Sequence, residues 1–247
     1  SILAGSMLPD KIVLYLDTQK FPGGILSSEL ERLKAESPII EVRFDEAEIR
    51  SYKKLIPALR DFPNDVIVTI DDDIAYHSNM LRDLVRLNKQ FPNAIIAHRV
   101  RKAILNAPYR KWRKYKCYDF IFKKFHFNHL AMQTGVGGVL YPPHSLDEQM
   151  LDSTLFMSMA PTNDDIWFWA MCVMNRTKIS VVREGYNSPQ NINWAREIGL
   201  YNETTLASSN TGTKAENDIQ LDNVLREYPE LMEILLEESI AISQNNV

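Results

Sequence analysis

The stretch Val66-Ile67-Val68-Thr69-Ile70-Asp71-Asp72-Asp73-Ile74-Ala75-Tyr76 (VIVTIDDDIAY) carries the fold class of this chain. Its first five residues are apolar or β-branched without a break, the pattern of a strand buried on both faces of a sheet. Three aspartates follow at once. Adjacent carboxylates repel one another and are costly beside a buried strand unless a cation or a Lys/Arg partner neutralises them. Oxygen ligands alone suit Mg²⁺ or Mn²⁺, and either ion can in turn bridge a diphosphate. The competing reading is a solvated turn in which Asp73 caps the following helix.

Working outward, the flanks alternate between strand and helix. Residues 11–17 (KIVLYLD) form a β-branched-rich strand, and 27–36 have helical spacing with Leu30 and Leu33 on one face. Ser27 or Ser28 is the expected N-cap. Pro38 opens a second strand over 39–44, and 51–62 place Leu55, Ile56 and Leu59 on one helical face. Downstream, 80–90 form an amphipathic helix and 94–100 a strand. This alternation predicts an α/β fold with a mostly parallel central sheet and flanking helices, in which ligands bind beyond the carboxyl ends of the strands. The aspartates fall at such an end.

The second half changes character. A glycine-rich bend, GVGGVLYPP over 135–143, leads into a short strand. A strongly apolar helix over 164–175 and a strand over 178–182 follow. Residues 185–212 are rich in Asn, Ser and Thr and are expected to be loop, ahead of two helices near 214–226 and 229–243. No internal repeat is visible. The whole of 1–247 is expected to be one domain, with a change of layer near residue 100.

Composition narrows the function classes. A net charge of −4 argues against a general nucleic-acid binder, which needs a surplus of Lys and Arg. Cys117 and Cys172 have no ligand spacing, which argues against a zinc site or disulfide framework. No apolar run approaches the roughly 18 residues that cross a bilayer, and no signal peptide is visible. The expected setting is cytoplasmic, with peripheral contact at the inner face of the membrane as an option. The sequons at Asn175 and Asn202 are read as chance matches.

Several further residues can carry chemistry. Asp164-Asp165 open the apolar helix; a helix N-terminus favours carboxylates, so capping alone can explain one of them. The second is free to face a substrate hydroxyl as base or positioning group. Arg50, Lys53 and Lys54 precede the acidic strand, either as a solvated turn or as contacts to nucleotide phosphates. Between residues 99 and 124 there are ten Lys/Arg residues against the single acid Asp119, interleaved with Tyr109, Trp112, Tyr115 and Tyr118. Such a segment attracts an acidic glycan, a lipid phosphate or an anionic membrane surface, resembles a single-stranded nucleic-acid groove, or is simply a solvated basic loop. The glycines at 135–138 form no P-loop and instead allow close backbone approach to a sugar. His98 and His144 have no paired-ligand spacing and are read as structural.

Taken in order, RSYKKLIPAL (50–59), VIVTIDDDIAY, GVGGVLYPP and NDDIWFWAM (163–171) resemble bacterial GT-A glycosyltransferases of surface-polysaccharide synthesis. The chain is similar to the capsular heparosan N-acetylglucosaminyltransferase family and, more remotely, to exostosin-like transferases. The resemblance covers most of 1–226 and implies the GT-A (nucleotide-diphospho-sugar transferase) fold, with a nucleotide-binding half over 1–100 and an acceptor half over 101–247. It implies a UDP-sugar donor, Mn²⁺ or Mg²⁺, and a saccharide or lipid-linked acceptor that can be anionic. By position, Asp73 is the main metal ligand with Asp71, while Asp71 and Asp72 contact ribose or sugar. Arg50 and Lys54 bind the donor. Asp165 lies near the anomeric carbon with Asp164 beside it, and Gly137 and Gly138 line the sugar pocket. The late element Asn217-Asp218-Ile219-Gln220 also fits but has no assigned role. One departure stands out: Ser1-Ile2-Leu3 matches the helix after such enzymes' first strand, so that strand is expected to be missing and a strand edge left unpaired.

Two other classes compete. A phosphatase or phosphoryl-transfer enzyme also places an Asp-rich motif after a parallel strand, and a non-catalytic glycan-binding module would use the basic, aromatic segment.

Overall fold

The computed structural model describes residues 1–115, 127–182, 190–191 and 216–244. Twelve strands and seven α-helices lie among them. Two strands, β1 (Ile12–Asp17) and β2 (Ile40–Asp45), pair in parallel around helix α1 (Ser28–Glu36), whose N-cap Ser27 accepts a hydrogen bond from the Leu30 N–H. The expected helix over 51–62 is interrupted. Residues Arg50–Lys54 form a 3₁₀ turn and α2 runs only over Ile56–Asp61, with Leu55 non-helical between them. Pro57, which lacks an N–H, fits only the first turn of a new helix.

The central sheet has the order β3-β10-β5-β11-β8 (Ile67–Thr69, Val139–Tyr141, Ile95–Ala97, Ile179–Val181, Phe127–Asn128). It is mixed, which corrects the expectation of a mostly parallel sheet. β11 runs parallel to β5, but β10 inserts between β3 and β5 and is antiparallel to both. A strand that enters through a tight turn rather than a helical crossover is free to run this way. Here the turn is Gly135–Gly137 followed by Gly138 at φ 84°, a conformation that side chains disfavour.

The expected strand over 94–100 is also divided. After β5 the chain leaves the sheet, and β6 (Val100–Lys102) joins β7 (Arg113–Lys114) and β9 (Ala131–Gln133) in a separate antiparallel sheet. β3 lies at the edge of the central sheet and is not buried on both faces: Val66 is 50% exposed, and Ile67 and Val68 are half-buried. Among the described residues β1 pairs only with β2, and β3 only with β10. A last pair, β4 (Ile74–Ala75) with β12 (Gln190–Asn191), brings part of the expected loop over 185–212 against the strand after the aspartates.

Alternation along the strands covers both faces of the central sheet. Ile96 and Leu140 pack with Met80 and Leu84 of α3 (Met80–Gln90). Ile95, Val139 and Tyr141 face the larger core built on α5 (Asp164–Met174), where Trp167, Trp169 and Phe168 are almost fully buried. Helices α4 (Ser153–Met159), α6 (Glu216–Glu227) and α7 (Pro229–Gln244) close that side. No helix of the described residues is long and apolar enough to cross a membrane.

Candidate active site

Three segments converge on one lysine. Tyr52 is fully buried, stacked on Phe156 at 4.0 Å with its hydroxyl donating to the Ala160 carbonyl at 2.7 Å. That anchor fixes the Arg50–Lys54 turn so that Ser51 and Lys54 face the start of α5. Lys54 Nζ donates to Asp71 Oδ1 at 2.9 Å and lies 3.1 Å from Asp164 Oδ2. The second contact is ionic, without hydrogen-bond alignment. Ser51 Oγ donates to the other Asp164 oxygen at 2.9 Å, and the Gly135 N–H donates to Asp165 Oδ1 at 2.8 Å. On the far side, the Asp71 N–H donates to the Tyr76 hydroxyl at 2.9 Å.

Capping explains neither carboxylate of the Asp164–Asp165 pair. The N-cap of α5 is Asn163, whose Oδ1 accepts the Ile166 N–H. Asn163 is itself held by the late element that had no assigned role: its Nδ2 donates to Asn217 Oδ1 at 2.7 Å. Gln220 Oε1 accepts the Thr162 and Asn163 N–H groups, both at 3.0 Å. Asp218 of the same turn accepts the Arg110 N–H and its guanidinium. The first turn of α6 thus sets where α5 begins, and so where its two aspartates point.

The electrostatics divide the pair. Asp165 is pushed up to about 7, first by burial and then by the charge of Asp164, against the pull of Lys54 and of the Gly135 N–H. Burial works against the charge of Lys54, but Asp164, Asp71 and Asp165 overcome it and raise the ammonium well above its ordinary range. A carboxyl group that titrates near neutrality beside a fixed cation is suited to accepting or holding a proton.

The other sequence-predicted residues are placed as follows. Asp72 and Asp73 are exposed on the turn after β3; Asp73 caps no helix, because β4 follows and α3 is preceded by Asn79. Arg50 is exposed, with φ 50°, and Lys53 turns away toward Asp17 and the Asp45 carbonyl. Gly137 packs on main chain: a Cβ there would lie 2.7 Å from Arg99 Cβ and 3.0 Å from its N. A Cβ on Gly138 would lie 3.0 Å from Met80 Sδ. The glycine that meets the cluster is Gly135, where a Cβ would lie 2.8 Å from Lys54 Nζ and 3.3 Å from Asp165 Oδ1. His98 and His144 bond the Met80 carbonyl and Asn64. Residues 116–126 of the basic segment lie outside the described residues.

Among the described residues no three His, Cys, Asp or Glu side chains are grouped to cage a metal. Mg²⁺ and Mn²⁺ in phosphate chemistry take only one or two carboxylates, with water and phosphate oxygens completing the shell. Asp73 is exposed, and Lys54 engages one oxygen of Asp71. Two open surface clefts, of about 390 Å³ beside Tyr15 and Arg43 and about 680 Å³ beside Lys102 and Arg110, include no member of the cluster. No protein-family model matches this chain, and no characterised protein matches it in sequence.

Proposed function

We propose that this protein is a metal-dependent glycosyltransferase of the GT-A type, moving a sugar from a nucleotide-diphosphate donor to a saccharide or lipid-linked acceptor. The observation that carries the reading is the convergence of Asp71, at the end of β3, with Asp164 and Asp165, at the start of α5, around Lys54. Asp73, with Asp71, would hold a divalent ion, and such an ion would supply charge neutralisation at the diphosphate leaving group. Lys54 fixes Asp71 and Asp164 in place. Asp165, titrating near 7, faces the acceptor hydroxyl as base or positioning group, and the anomeric configuration of the product distinguishes the two roles.

The test is binding of UDP followed by the rise in melting temperature, with and without Mn²⁺. A metal-dependent rise that disappears in Asp73→Ala is the expected result. Equal, metal-independent binding by the variant would overturn the assignment.

The Lys54–Asp71 contact also favours a second reading, phosphoryl transfer with Asp71 as nucleophile. Hydrolysis of a generic aryl phosphate that stops in Asp71→Asn would select it over glycosyl transfer.

A further inference from the structure

We propose that the open cleft lined by Lys102, Arg110, Lys111 and Arg113 around Ile104 is a docking surface for an anionic phospholipid membrane. This contact is independent of the glycosyl-transfer reading, because no residue of the Lys54 cluster lines the cleft.

Lys102 and Arg113 are directly opposed across β6 and β7, so their side chains share one face of that antiparallel pair. Alternation puts the neighbouring pair, Arg101 and Lys114, on the other face. Arg110 and Lys111 belong to the 3₁₀ turn Tyr109–Lys111 that leads into β7, and Ile104 lies just beyond the end of β6. Ile104 is 40% exposed, and Arg110, Lys111 and Arg113 are exposed as well. The cleft holds about 680 Å³, and among the described residues no carboxylate lines it. Asp218 accepts from the Arg110 guanidinium and so takes up one of the four charges. Like charges opposed on neighbouring strands repel, and an anionic surface in front of them relieves that repulsion.

What this segment leaves exposed selects a membrane over other polyanions. Proteins that track a single-stranded nucleic acid or a sugar chain present aromatic faces for stacking alongside their cations. Here Tyr109 and Trp112 are turned into the core, 6% and 4% exposed, with Trp112 edge-on to Trp169 at 5.3 Å. Solvent meets instead an aliphatic side chain flanked by cations. An anionic bilayer matches that pattern, its headgroup phosphates taking the cations while the aliphatic group enters the acyl boundary. The surface is also held from behind. The Arg110 N–H donates to Asp218 at 2.9 Å, and Asn217 of the same turn of α6 holds Asn163 at the cap of α5. Contact at the cleft is thus tied through α6 to the helix that carries Asp164 and Asp165.

The test is co-sedimentation of the full chain with vesicles of phosphatidylcholine alone and of phosphatidylcholine mixed with phosphatidylglycerol. The mixed vesicles should retain the wild type, the neutral ones should not, and retention should fall as salt is added. Each cation near an anionic surface is worth about fivefold in partitioning, so Arg113→Glu, which changes the charge by two, should lose roughly 25-fold. Lys114→Glu makes the same change on the other face of the same strand and should lose about threefold or less, because salt screens it there. Both positions are exposed, and urea midpoints close to that of the wild type confirm that the variants fold. Ile104→Ser should weaken binding several-fold while leaving its salt dependence unchanged. Equal retention by the two kinds of vesicle, or none by either, overturns the proposal, as do equal losses in Arg113→Glu and Lys114→Glu. So does a wild type that ignores vesicles but binds heparin or a single-stranded oligonucleotide through Arg113, which would assign the cleft to a polyanionic chain instead.

Discussion

Replacing Asp165 by asparagine should make this protein more stable at pH 8, by a margin that shrinks steadily as pH falls and vanishes near pH 4. In the folded chain the carboxyl is raised from 3.8 to about 7, burial being the largest cause. The sign follows from proton linkage. Between those two values the folded state binds a proton that the unfolded state has released, so stability falls as pH rises through that window. Above about pH 7 the full penalty is present; below about pH 4 it is absent. At about 1.4 kcal/mol per pH unit of displacement the ceiling is roughly 4 kcal/mol. Coupling to Asp164 and Lys54 shares that penalty among the group, so about 1–3 kcal/mol is the expected gain for the variant at pH 8. The asparagine Oδ1 can keep the hydrogen bond from the Gly135 N–H, and Lys54 retains Asp71 and Asp164. Urea unfolding of both proteins at pH 5, 6, 7 and 8 measures the difference directly. A variant that is less stable at pH 8, or a difference that does not change with pH, would refute the assignment of a strained, poorly solvated carboxyl at this position.

Two further outcomes follow from the same contacts. Gly137→Ala should cost about 1–3 kcal/mol, because its Cβ meets Arg99 main chain that cannot yield, whereas Gly135→Ala meets the flexible end of Lys54 and should cost less while displacing that ammonium from Asp71; urea unfolding and UDP–Mn²⁺ binding read the two effects. Asn163→Ala should cost about 1–2 kcal/mol by removing the α5 cap and its bond to Asn217, with a wild-type midpoint counting against the role of that clasp.

Much of this arrangement was legible in the sequence, and the parts that were not have physical reasons. Helix α3 and the strand before the triplet show themselves through local periodicity and an apolar run. The direction of β10 does not, because Val139-Leu140-Tyr141 carries no mark of which strands it lies between. The edge position of β3 is hidden for the same reason: burial of Val66 depends on a neighbour that local pattern does not name. By charge pattern Lys54 is one basic residue among several; the resemblance sets it with Arg50 apart from Lys53, and the long-range contact to Asp164 separates it from Arg50. Gly135 and Gly137 look alike in sequence, yet one meets the charged cluster and the other a backbone. Asn163 offers a usable signal that went unused. An asparagine immediately before an acidic pair and an apolar helix is a good N-cap, and it frees both aspartates for other work.

That last point bears on how the two adjacent carboxylates divide their labour. Asp164 is fixed from both sides, by the Ser51 hydroxyl and the Lys54 ammonium, and is only 7% exposed. Asp165 has one backbone donor, keeps some exposure and titrates near neutrality. Neighbouring acids whose surroundings differ in this way are fitted to different tasks. Asp164 serves as the charge that holds Lys54, and through it Asp71, in register; Asp165 is left as the group able to exchange a proton. Asp165 is also the carboxylate that acts most strongly on the charge of Arg99. A carboxylate so placed costs stability above neutral pH, and removing it should return that stability, which is why the Asp165→Asn comparison tests the division of labour proposed for the pair.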